Sequence, residues 1–173
     1  MIGKLTLCCF AFLMNASLTP LTAQDQAKQA LPPARLIPGV TAPDLFPNSC
    51  IDCHINHPEM KMDARFSTQM ALWNEKVDPA LLAKAQAAAP EGMILKGKHP
   101  KTGVGFTNIP AQCINCHGRD SEGAPPFSRM MHLIHLTGGD QNRFLTLYHG
   151  ECTNCHKLNL TTGRWAFPSG PEK

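Results

Sequence analysis

Cys50-Ile51-Asp52-Cys53-His54, Cys113-Ile114-Asn115-Cys116-His117 and Cys152-Thr153-Asn154-Cys155-His156 repeat one pattern, Cys-x-x-Cys-His, at three places in a chain of 173 residues. Side chains three apart on one helical turn face the same way. Each pair of thiols is therefore expected to meet a single object. The histidine that follows lies next along the turn and offers a ring nitrogen to a metal on that side. What occupies these three places decides how the rest of the chain packs.

A lone Cys-x-x-Cys is read as a zinc knuckle or a redox dithiol. Here every copy carries the trailing histidine, a tetrahedral zinc site would have to borrow ligands between motifs, and a dithiol needs neither the histidine nor three copies. The pattern is that of haem attachment. It predicts three covalently attached haem c groups, anchored by Cys50 and Cys53, Cys113 and Cys116, and Cys152 and Cys155, with His54, His117 and His156 as proximal ligands. Of the eight cysteines, the other two are Cys8 and Cys9. These lie in residues 1–23, which read as a secretory signal peptide with Lys4 at its charged end, an apolar stretch from Leu5 to Met14, and a Leu21-Thr22-Ala23 cleavage site. A lipoprotein anchor at Cys8 fits poorly, because almost no apolar stretch precedes it. The expected location is periplasmic or otherwise exported, and the apolar run is too short to remain as a transmembrane span. The mature chain is then left with no free cysteine and no disulfide.

Removal of that segment leaves about 150 residues, one domain's worth and a thin wrapping for three large cofactors. Aromatic residues are only 6%, while Pro and Gly number 15 and 13, a loop-rich composition. The expected fold is mainly α with extensive irregular coil, a small multihaem cytochrome c fold organised around three covalently bound haems. Porphyrin faces then serve as packing partners for most side chains, and the apoprotein is expected to be largely unfolded. The formal charge of +3 includes Lys4. Two propionates per haem against one net positive charge on each ferric core bring the oxidised holoprotein to roughly −1, and reduction makes it more negative, which argues against a nucleic-acid surface.

Residues 24–49, with Pro32, Pro33, Pro38, Pro43 and Pro47, read as an extended, partly mobile N-terminal extension. A trihaem cytochrome c domain is expected over 50–173, with a helical insert at about 63–90. In that insert Asp63 is expected to cap a helix with Phe66, Met70, Trp73 and Val77 on one face. Asp78 caps a second that opens on Pro79 and stops at Pro90 and Gly92, and the two read as a helical hairpin. A third helix opens after Pro125 and Pro126, carries Phe127, Met131 and Ile134 as an apolar stripe, and closes at Gly138 and Gly139. The tail beyond Lys157 reads as irregular coil.

Eight histidines less the three in the motifs leave His57, His99, His132, His135 and His149 for three sixth positions on iron. His132 and His135 are favoured, because three residues apart on one helix they can serve two adjacent haems from opposite directions. His99 follows, on a loop long enough to fold back across a haem. His57 and His149 each lie three residues from a motif and would have to serve a neighbouring haem. Met60, Met62, Met70, Met93, Met130 and Met131 are expected as filler beside porphyrin faces.

In its motifs the chain resembles a small multihaem c-type cytochrome. The stretch Phe127-Ser128-Arg129-Met130-Met131-His132-Leu133-Ile134-His135, ahead of Cys152 to His156, is similar to a Met-x-His-x-Ile-His element of outer-surface multihaem cytochromes of metal-respiring bacteria. The resemblance covers Lys98 to about His156. It implies distal-ligand roles for His132, His135 and His99, and leaves the first haem without a matched distal ligand. The chain departs from those larger proteins in having three motifs and in its helical insert. The expected function is that of a carrier of single electrons. Its partners would be redox protein donors and acceptors, such as a membrane quinol-oxidising cytochrome or a terminal reductase. The alternatives are a haem enzyme or a gas- or small-anion-binding protein with one open haem position, and a dedicated electron-transfer subunit of a larger oxidoreductase.

Overall fold

The computed structural model describes residues 33–103 and 105–173. The signal-peptide reading of 1–23 and the first part of the proline-rich segment lie outside the described residues. Contacts gather the chain from Arg35 to Lys173 into one compact unit.

The proline-rich segment does not remain an extended lead-in from Arg35 onward. Phe46 packs edge-on against Tyr148 at 5.4 Å between ring centroids, Asp44 pairs with Lys157 at 3.0 Å, and Arg35 pairs with Glu151. These partners lie more than 100 residues away, so local composition carries no trace of them.

Helix α1 (Cys50–Cys53) is followed by β1 (Asn56–His57) and β2 (Met62–Asp63), an antiparallel pair. Helix α2 (Phe66–Glu75) comes next. Its N-cap is Arg65, not Asp63, and Arg65 makes no side-chain cap bond. Asp63 instead accepts from the Arg65 backbone and guanidinium and from the Thr68 hydroxyl. The Ser67 N–H of the first turn is capped by the Glu172 carboxylate at 2.8 Å, from the far end of the chain. Val77 falls beyond the helix, where its N–H donates to the Gly97 carbonyl.

Helix α3 (Pro79–Ala88) starts as its sequence dictates: Asp78 Oδ1 accepts from Ala80 and Leu81 N–H, and Pro79 takes the first position, where no N–H is needed. The helical hairpin does not form. Helix α3 packs chiefly on α5 (Phe127–Leu136), beyond the short α4 (Ala111–Ile114). Lys84 of α3 explains part of that choice, donating to the Ile134 and Thr137 carbonyls at the end of α5. Asn142 completes the closure, giving its amide to the carbonyls of Ile134, His135 and Thr137 while its Oδ1 accepts from Phe144 N–H to start α6 (Arg143–Tyr148).

The tail is ordered into structure where coil was expected. Strands β3 (Lys157–Asn159) and β4 (Arg164–Ala166) form a hairpin. Asn159 Oδ1 accepts from Thr161 and Thr162 N–H, and Gly163 takes φ 65° to close the turn. Beyond it, Gly170 exchanges both backbone hydrogen bonds with Ile109. A side chain at Gly170 would meet Ile51 Cδ1 at 3.0 Å, so the tail lies directly over the first motif. Among the described residues the buried apolar side chains are Ile51, Ala88, Ile109, Pro110 and Pro125.

Candidate metal centres

All three motifs adopt the same local geometry. The N–H of His54 donates to the Cys50 carbonyl at 2.8 Å, that of His117 to Cys113 at 2.9 Å, and that of His156 to Cys152 at 2.9 Å. The first motif turns in α1, the second begins in the last residues of α4 and continues past its end, and the third forms a 3-10 turn over Cys152–Asn154. Each turn is thus closed by one bond between its first cysteine and its histidine.

Opposite each motif histidine stands another histidine. His54 faces His135 with ring centroids 6.1 Å apart, His117 faces His99 at 6.0 Å, and His156 faces His132 at 6.1 Å. The three partners are those favoured as distal ligands, and α5 supplies two of them. His135 is the ring that faces the first motif's histidine, for which the resemblance matches no distal partner.

Four of the six rings are hydrogen-bonded through Nδ1. His54 Nδ1 bonds the Ala64 carbonyl at 2.9 Å and His117 Nδ1 that of Pro125 at 2.7 Å. His135 Nδ1 bonds the Met131 carbonyl at 2.9 Å and His99 Nδ1 that of Pro100 at 2.7 Å. A ring N–H given to a carbonyl fixes the tautomer and leaves Nε2 as the metal ligand. Loss of water around His54, which also stacks on Phe66 at 4.3 Å, pushes its pKa down to about 4. Burial likewise lowers His117, His135 and His156, so these rings stay neutral.

The remaining two histidines have other duties. His57 is buried, with Nε2 bonded to the Cys53 carbonyl at 2.9 Å and Nδ1 3.3 Å from Glu59, which engages both nitrogens. His149 is exposed and ends α6 in the left-handed region at φ 56°.

Four of the motif cysteines are held against ionisation. Burial first, then neighbouring thiols, pushes Cys53 and Cys155 up to about 11, and burial also raises Cys50 and Cys113. Among the described residues no three of His, Cys, Asp and Glu converge on a point, as a protein-only metal site requires. Cys50 is among the groups whose charge raises Cys113 and Cys155, so it lies within electrostatic range of both.

A planar iron macrocycle fits these residues. Two imidazole nitrogens at about 2 Å from one iron hold their ring centroids roughly 6 Å apart. Paired thiols beside one ring of each pair, and a chain with almost no apolar core of its own, suit a large apolar group attached at its edge. A cavity of about 30 Å³ beside His156, lined also by Asp44, Thr153 and Lys157, has room for one water, and the buried Thr153 hydroxyl has no protein partner.

Sequence reasoning missed Glu172, Asn142 and Lys84, which position α2 and α5. Their signals lie in tertiary contacts. Comparison with protein-family models, with curated proteins and with solved structures returned no match. Among the described residues no helix is long and apolar enough to cross a membrane.

Proposed function

We propose that the protein is a trihaem c-type cytochrome that carries single electrons between redox proteins outside the cytoplasm. The observation that carries the reading is the pairing of every Cys-x-x-Cys-His histidine with a second histidine at one spacing, 6.0 to 6.1 Å. Cys50 and Cys53, Cys113 and Cys116, and Cys152 and Cys155 hold the three haems. His54 and His135, His117 and His99, and His156 and His132 fill the axial positions. When bound, each haem supplies a one-electron iron couple.

The chain's own residues do the rest. Carbonyls of Ala64, Met131, Pro125 and Pro100 orient the imidazoles of the first two centres and keep their ring geometry constant between oxidation states. His132 and His135 sit three residues apart on α5, about 4.5 Å along its axis. One rigid helix therefore ties the first and third centres together. Cys50 acts electrostatically on Cys113 as well as on Cys155, so both the second and the third motif lie within range of the first. Such closeness suits a short electron relay between a donor and an acceptor protein.

The test is a haem count and a spin state. Alkaline pyridine should give the spectrum of c-type haem at three per chain, and the native ferric protein should be low-spin, without a high-spin charge-transfer band. Zinc bound in place of haem would overturn the reading.

A further inference from the structure

The three histidine pairs share one spacing and differ in how their distal members are held. His99 and His135 each give Nδ1 to a backbone carbonyl, at 2.7 and 2.9 Å. His132 is exposed, and among the described residues neither of its ring nitrogens makes a hydrogen bond. His132 and His135 stand on the same helix, so backbone stiffness is common to both. What separates them is the outer bond of the ring.

That bond has two effects on a metal ligand. It fixes the ring's rotation, and by drawing on the N–H it makes the opposite nitrogen more basic. A histidine without it binds more weakly and swings away at lower cost. The motif histidine of the same centre cannot leave in this way, because Cys152 and Cys155 tether its turn. Exposure adds a path for solutes to the His132 side. At the first centre, by contrast, His135 is enclosed by Phe144, 5.4 Å from its ring.

We propose that the third centre, between His156 and His132, is a binding site for a compact exogenous ligand, a small anion or diatomic molecule, that takes the place of His132. The inference rests on the trihaem reading. Exchange breaks the bond from the metal to the His132 nitrogen and makes one to the ligand. With hydrogen cyanide as the entering species, its proton passes to the freed imidazole and no electron moves. The other two centres keep both histidines and continue to carry electrons to and from the exchanging one.

The test uses the ferric holoprotein, first shown by pyridine haemochrome to hold three haems per chain. A count other than three sinks the underlying reading and is recognisable as such. Cyanide is then titrated in while electron paramagnetic resonance follows the three low-spin signals. One signal should convert at a cyanide concentration about tenfold or more below that needed by either other, a preference of about 1.4 kcal/mol. His132→Met, which keeps an axial ligand, assigns the third centre by shifting its signal, and His135→Met and His99→Met assign the first and second. The proposal stands if the responsive signal is the one shifted in His132→Met. It falls if all three convert together, if none converts, or if the responsive signal belongs to His135 or His99.

Discussion

The planes of the paired imidazoles differ from centre to centre: 76° apart for His54 and His135, 20° for His117 and His99, and 44° for His156 and His132. The angle between axial ring planes sets the splitting of the iron d orbitals, so three pairs at three angles should give three resolvable low-spin signals. The near-perpendicular pair should show the largest principal g value. His135→Met should remove that signal and leave the near-parallel one from the second centre in place; loss of the near-parallel signal would contradict the pairing. His57 belongs to the opposite category. Replacing it by Ala strands the Cys53 carbonyl and should cost about 1–3 kcal/mol of stability. The spin state and all three signals should be unchanged, since its nitrogens are engaged by Cys53 and Glu59.

Helix α5 carries two of the three distal histidines, and its end is held by Asn142 and Lys84 from outside it. Asn142→Ala removes the amide group that donates to the carbonyls of Ile134, His135 and Thr137, and the acceptor that starts α6. Thermal unfolding should register a loss of about 1–3 kcal/mol, with broadening of the first- and third-centre signals and none of the second. At the start of α2, Asp63 is held well below the usual carboxylate range by the Arg65 guanidinium and the Thr68 hydroxyl. A depressed folded pKa gives stability that is present above the unfolded value, about 4, and is lost as pH falls below it. Asp63→Asn should therefore lower stability at neutral pH, where the ionised carboxylate contributes, and flatten the acid limb of the stability profile, so that the two proteins converge as pH falls. The limits of α3 and α5 were legible because Asp78-Pro79, Pro125-Pro126 and Gly138-Gly139 act through bonds only a few residues long. Glu172 capping Ser67 was not legible, since a carboxylate 105 residues away leaves no local mark. The hairpin at 157–166 lay between these cases. Asn159 and Gly163 are turn residues at the right offset, but the strands they join are only three residues each.

The Cys-x-x-Cys-His spacing named the motif side of each centre because attachment chemistry is local. The distal partners depended on α5 and on the loop around His99 reaching across the molecule. Both reaches rest on contacts that a protein-only core does little to support. Among the described residues five apolar side chains are buried, two of them prolines, while Leu36, Leu45, Leu72, Ile94 and Leu160 are all more than half exposed. Hydrophobic burial at about 25 cal/mol per Å² must offset about 1–2 kcal/mol of backbone entropy per ordered residue. So few buried side chains supply little of that, and under the trihaem proposal the missing apolar surface comes from the haem faces. The chain produced without haem, or with all six motif cysteines changed to Ala, should show little far-UV helical signal and no cooperative thermal transition. The holoprotein should unfold cooperatively with its three centres lost together. A cysteine-free chain that melts in one sharp transition would mean that the fold is built on protein contacts alone. The three histidine pairs would then need another explanation for their common spacing.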